Sequence, residues 1–182
     1  MKVKPAELND IPGILAVLHK NLVANKKSAE LENMEDKGFL INGFTEEELQ
    51  TYLNDKQNYI VLAAHDDNNT ILGYTIGYDS QKLPADLYDQ FNLIFPDILQ
   101  TNKILYLRHI AKLPLTKHVG STLLKTLLEQ ARKKNYQYMV CQIAEHPHQN
   151  TVSKKFHEKF EFKRIGSGEV KGHTFGIYIR KL

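Results

Sequence analysis

The segment from Val119 to Lys134 constrains this chain most. Leu123, Leu124, Leu127, Leu128 and Ala131 recur at helical spacing and form one apolar stripe, which must be buried against another element. Apolar runs of strand length lie on either side, Ile104–Ala111 before it and Tyr138–Ile143 after it. A strand, a short loop with one glycine, an amphipathic helix and a second strand therefore follow in order. Asn150 to Lys159 then reads as a helix and Phe162 to Ile165 as a strand, with His173 to Arg180 as a final strand.

The N-terminal half is read in the same way. Lys2–Lys4 is a short strand ended by Pro5. Asn9-Asp10 supplies an N-cap for a helix carrying Ile11, Ile14, Leu15 and Leu18. The stretch from Lys26 to Gly43 is weakly patterned. Thr45-Glu46-Glu47-Glu48 is a capping-box pattern that opens a helix reaching Asn54. Tyr59–Ala64 and Ile71–Tyr78 flank the turn residues Asp66-Asp67-Asn68-Asn69, which gives a hairpin. Pro84–Leu99, interrupted by Pro96, reads as one or two short covering helices. No repeat, low-complexity tract or linker divides the chain. Its 182 residues are read as one α/β or α+β domain with a mixed sheet.

Composition excludes several classes. Apolar residues make 42% and charged residues 25% of the chain, as in ordinary globular domains. The net charge of +3 is modest, and the basic runs Arg132-Lys133-Lys134 and Lys154-Lys155 read as solvated helix faces, so nucleic acid is not the expected partner. The single cysteine, Cys141, sits in an apolar run and reads as an inert buried thiol. No apolar run reaches the length of a membrane span, and no secretory h-region opens the sequence, so a cytoplasmic location is expected. His146 and His148 flank Pro147, but two ligands in a loop are too few for a metal site.

From Tyr106 to Gly166 the residues resemble the GNAT superfamily of acyl-CoA N-acyltransferases. The resemblance rests on element order and on Asn150-x-x-Ser153-x-x-Phe156-His157, with Gly166 beyond it. It is closest to a little-described bacterial acetyltransferase group in which Phe-His stands in place of Phe-Tyr. It implies a single-domain GNAT-like fold over 1–182, with a mixed, mostly antiparallel sheet and helices on both faces. It also implies acetyl-CoA as cosubstrate and a small-molecule or peptide amine as acceptor. The oligomeric state stays open, a homodimer included.

The resemblance also assigns a cofactor site. The backbone of Ile110, Ala111 and Lys112 corresponds to the strand that pairs with the pantetheine arm. The family's phosphate loop, Gln/Arg-x-x-Gly-x-Gly/Ala, falls on Leu115-Thr116-Lys117-His118-Val119-Gly120, followed by Ser121. Its N–H groups, at a helix N-terminus, would hold the pyrophosphate. Only Gly120 matches; His118 replaces the first glycine and Leu115 the Gln/Arg, while Lys117 and His118 offer side-chain phosphate contacts. Asn150 is implied to touch the cofactor arm, and it also suits a helix cap.

For chemistry, His157 occupies the position of the family's thiolate-protonating Tyr. A thiol titrates near about 8.5, so a thiolate leaves acceptably at neutral pH with little help. Neutralising a lysine-like amine at pH 7 costs about 4.6 kcal/mol, an α-amino group only about 1 kcal/mol. A missing base is therefore the graver loss. Gln142 stands where relatives often carry Glu, which leaves His109 and Glu145 as base candidates, directly or through water. Each also has a bland reading, as a half-buried strand histidine and a solvent-facing loop residue. Taken together these features point to an acetyl-CoA-dependent N-acetyltransferase, or alternatively to a catalytically weakened binding module for acyl-CoA or a small ligand on the same fold. The acceptor pocket is expected from Asn25–Asn54, with Phe39 and Phe44, and from Tyr78–Asn102, with Tyr88, Phe91 and Phe95; these aromatics either line it or simply pack, and packing is the expectation for most.

Overall fold

A computed structural model of the chain describes residues 1–25, 38–170 and 172–182. Seven strands form one sheet: β1 (Lys2–Pro5), β2 (Tyr59–His65), β3 (Ile71–Asp79), β4 (Ile104–Lys112), β5 (Tyr138–His146), β6 (Lys163–Val170) and β7 (His173–Lys181). Their order is β1-β2-β3-β4-β5-β7-β6. Among the described residues β4 and β5 are the only parallel neighbours; the other neighbouring pairs are antiparallel. Parallel neighbours need a long crossover, and the helix from Val119 to Lys133 supplies it. The helices are α1 (Ile11–Asn21), α2 (Glu46–Asn54), α3 (Ala85–Ile94), α4 (Pro96–Thr101), α5 (Val119–Lys133) and α6 (Thr151–Lys159). None of them is long and apolar enough to cross a membrane.

Two cores sandwich the sheet. On one face Ile14, Leu18, Leu49, Phe91 and Leu99 of α1 to α4 pack on Tyr74, Ile76, Tyr106 and Val140. On the other, the α5 stripe of Leu123, Leu124, Leu127 and Leu128 packs on Leu62, Leu105, Leu107 and Cys141. Each fully buried leucine contributes roughly 1.5–3 kcal/mol, so the stripe fixes where α5 lies. Gly73 lets it approach, because a Cβ there would meet the Ala111 carbonyl at 2.7 Å and Val119 at 2.8 Å.

Several expectations shift. Pro84–Leu99 is two helices, broken at Phe95–Pro96, since the proline ring cannot continue a helix. Asp10 precedes α1 but does not cap it. Its carboxylate accepts from Glu7 N at 2.9 Å and holds His65 Nε2 at 2.9 Å. The sixth strand runs to Val170 through Gly166-Ser167-Gly168, because pairing with β7 overrides the weak strand preference of glycine. The α2 capping box forms as read, with Glu48 N bonded to Thr45 Oγ1 at 3.2 Å and Thr45 N to Glu48 Oε2 at 2.8 Å. The stretch 26–37, within the weakly patterned segment, lies outside the described residues.

The feature that positions the site is a split in the sheet. β4 and β5 pair only from Ile104–Leu107 against Tyr138–Cys141. Both strands then continue, β4 held by β3 as far as Lys112 and β5 by β7 as far as His146. At the split Arg108 is an extra residue: Ile76 faces His109 and Gly77 faces Leu107, a β-bulge.

Candidate active site

A cleft of about 680 Å³ opens where β4 and β5 part, within the size range of small-ligand and cofactor sites. One wall is the edge of β4 from Arg108 to Lys112, which among the described residues has no strand opposite it on the β5 side. Backbone groups on such an edge seek a partner strand or an extended ligand. Ile110, Ala111 and Lys112 all line the cleft. Asn21 of α1 also reaches this edge, donating from Nδ2 to the Lys112 carbonyl at 3.1 Å.

The N-terminus of α5 abuts the same wall. His118 adopts a left-handed backbone with φ 63°, and Leu115 does so at φ 65°. The first loop glycine of the family pattern is thus absent while a residue in its place adopts the left-handed conformation that glycine favours. Among the described residues no side chain caps this helix, so the first-turn N–H groups at Val119, Gly120 and Ser121 have no capping acceptor there. Gly120 lines the cleft, and a Cβ there would lie 3.7 Å from the Phe156 ring. Lys117 and His118 have exposed side chains outside the cleft lining, and Val119 packs into the core below.

Asn150 and His157 come from the far side of the cleft. Asn150 caps α6 by accepting from Ser153 N at 3.0 Å and donates from Nδ2 to Phe39 O at 2.8 Å. Both ends of its side chain are thus engaged within the protein. His157 is buried, edge-on to Phe156 and Phe162, each at 5.2 Å between ring centroids. Its Nδ1 lies 2.7 Å from the Ser153 carbonyl, which assigns the proton to Nδ1 and leaves Nε2 as a buried acceptor without a partner among the described residues. Burial lowers its pKa to about 4, against a weaker raising effect of the Ser153 backbone contact. At neutral pH this ring is uncharged and holds no proton at Nε2 to give.

The bulge places two consecutive side chains on the face covered by α1 and α2. Arg108 reaches Tyr52 and Gly43, while His109 packs against Phe44 and Tyr74. His109 Nδ1 lies 3.3 Å from the Tyr74 hydroxyl, and the ring also bonds the Asn42 backbone. Burial, aided by the Arg108 charge, lowers its pKa to about 3. It lines the cleft, but as a neutral strut between β4, β3 and the segment before α2.

Glu145 is placed elsewhere. It does not line the cleft; its carboxylate holds Arg164 Nε and Nη2, both at 2.8 Å, and contacts Tyr178 on the α5 face. The Arg164 hydrogen bond holds its pKa below the usual carboxylate range. Strand alternation sends Gln142 to the cleft face instead, where Tyr106 OH donates to its Oε1 at 3.3 Å and its Nε2 is buried without a partner among the described residues.

Sequence reasoning missed Arg108, Tyr106, Glu48 and Asp86, all of which line the cleft. Arg108 alone left a signal, as a charge inside an apolar strand run. Of the aromatics in the variable segments, most of them expected to pack, Phe39 lines the cleft. Phe44, Phe91 and Phe95 are core residues, and Tyr88 is partly exposed.

No curated protein sequence matches the chain. Solved structures match over its whole length. A PaiA N-acetyltransferase from Thermoplasma acidophilum in complex with coenzyme A is 17% identical, with TM-score 0.66, covering 100% of this chain and 98% of that one. A ribosomal-protein-alanine N-acetyltransferase from Brucella melitensis is 18% identical, with TM-score 0.67 and both chains fully covered. yncA, a putative acetyltransferase from Salmonella typhimurium with its cofactor acetyl-CoA, is 16% identical, with TM-score 0.68, covering 100% of this chain and 94% of that one. At these identities the likeness is one of fold. The family itself follows from sequence: the model of the acetyltransferase (GNAT) family matches residues 28–162, spanning the split, the α5 loop and the Asn150 helix, and the chain belongs to that family.

Proposed function

We propose that this chain moves an acetyl group from acetyl-CoA to a primary amine, and that it does so without a dedicated protein base or acid. The observation that carries the reading is the parting of β4 from β5 beside the uncapped N-terminus of α5. The residues present fit the cosubstrate: the unpaired β4 edge from Ile110 to Lys112 suits the pantetheine arm. The N–H groups of Val119, Gly120 and Ser121 suit the pyrophosphate. Asn150 acts by holding α6 to the segment before α2 and so shaping the wall. When bound, acetyl-CoA supplies an acyl group activated as a thioester.

The protein's part is to bind, orient and tune charge. A departing thiolate needs little protonation near pH 7. A neutral His157 therefore serves as a buried acceptor, not as an acid. For the amine, the cleft interior carries the Arg108 cation, whose charge adds to burial in lowering the pKa of neighbouring His109. The same field disfavours a bound ammonium and favours the neutral amine. Glu48 and Asp86 face solvent at the rim and offer water-linked proton acceptors there.

Calorimetric titration of the purified protein with acetyl-CoA tests this. Saturable binding is expected, and thiol release on addition of a suitable amine. No binding at millimolar acetyl-CoA contradicts the cofactor site and the activity together. Binding without turnover on a broad amine panel points to the weakened binding module instead.

A further inference from the structure

Resting on that reading, the cleft also carries evidence about its acceptor. Arg108 lines the cleft with its side chain 21% exposed, and its guanidinium is fixed before any ligand arrives. One terminal nitrogen donates to Tyr52 OH and the other to the Gly43 carbonyl at 2.9 Å. The group also stacks over Phe44 and Tyr52, at 5.9 and 5.5 Å from their centroids. The carboxylate beside it, Glu48, stays 3.9 Å away, is 46% exposed, and is already occupied by Thr45 N and Tyr52 OH. A guanidinium has five N–H donors, and two of them donate to described residues.

The surroundings agree. Gln142, on the same sheet face and in the same cleft, has a buried Nε2 with no partner among the described residues. A buried amide donor of this kind is normally satisfied. The rim carboxylates Glu48 and Asp86 are screened by water. They still act on Tyr52 and Tyr78 respectively, while the Arg108 charge reaches further, to Tyr52, Tyr59, Tyr74, Tyr78, Tyr106 and His109. Arg108 thus places a fixed, mostly buried positive charge in the cleft, while its nearest carboxylate is half exposed.

We infer that Arg108, with the Gln142 amide in the same cleft, binds a carboxylate of the acceptor, so that the substrate class is a primary amine bearing a carboxylate, of amino-acid type. A planar fork held in place by Tyr52 and Gly43 suits a carboxylate better than a point charge would.

The test compares amino acids with their primary amides as acceptors, by thiol release from acetyl-CoA, in wild type, Arg108→Gln and Arg108→Lys. Comparing the same pairs across variants cancels the difference in amine pKa within each pair. The expected result is a fall of tenfold or more in the carboxylate-over-carboxamide ratio of kcat/KM in Arg108→Gln, carried mainly by KM, with partial recovery in Arg108→Lys. Calorimetric acetyl-CoA affinity should stay the same. If Arg108→Gln does not fold, Gln142→Met must lower the ratio in the same direction. An unchanged ratio overturns the inference, as does a wild type that binds acetyl-CoA yet acetylates no carboxylate-bearing amine. Absence of acetyl-CoA binding in the wild type would instead remove the acetyltransferase reading beneath it.

Discussion

At the scale of single residues, the site runs on substitutions that keep geometry while changing chemistry. His118 holds a left-handed backbone where the family pattern has glycine. For a non-glycine residue that conformation costs on the order of 1 kcal/mol. His118→Gly should therefore hold or raise stability by up to about 1 kcal/mol, whereas the β-branched His118→Val should lower it by more than about 1 kcal/mol; urea unfolding reads both. His157 and His109 have folded pKa values of about 4 and about 3, below an unfolded value near 6.5. Between those values the unfolded chain binds more protons. Their contribution is therefore whole above about pH 6.5 and declines as pH falls, by about 1.4 kcal/mol per pH unit for each ring. His157→Phe should flatten the stability loss between pH 6.5 and pH 5 by one such increment. An unchanged slope would mean that His157 is already protonated in the folded protein.

At the scale of elements, two devices shape the cleft: the bulge in β4 and the cap on α2. The bulge turns Arg108 and His109 to one face, which strict alternation forbids. The cap fixes Glu48 by the same bonds that start the helix. Thr45→Ala should cost about 1 kcal/mol in denaturant unfolding and loosen Glu48 beside Arg108. The helices and strands were legible because their patterns are local. The α5 stripe of Leu123, Leu124, Leu127 and Leu128 sits where its spacing puts it. Thr45-Glu46-Glu47-Glu48 caps as read. Pro96 marks the break between α3 and α4.

At the scale of the whole molecule, what was illegible depended on long-range pairing. Glu145 stands close in sequence to the cleft strand, yet the sheet turns it toward Tyr178 and Arg164 brings it a partner. The Arg108 bulge exists only in the register of β3 on β4. The state of His157 depends on Ser153 and Phe162, and that of His109 on Tyr74, Asn42 and Arg108. The motif pointed to the strand split and the α5 loop, and packing decided which groups near them hold protons. What emerges is an acetyltransferase cleft whose histidines are neutral and whose interior charge is positive. The most direct test is the pH profile of kcat/KM for acceptors of different amine pKa at saturating acetyl-CoA. The account predicts a rise of unit slope that tracks each acceptor's own pKa, with no inflection of the enzyme's between pH 6 and 8. An inflection at one fixed pH for every acceptor, abolished by His109→Phe, His157→Phe or Glu145→Gln, would contradict it.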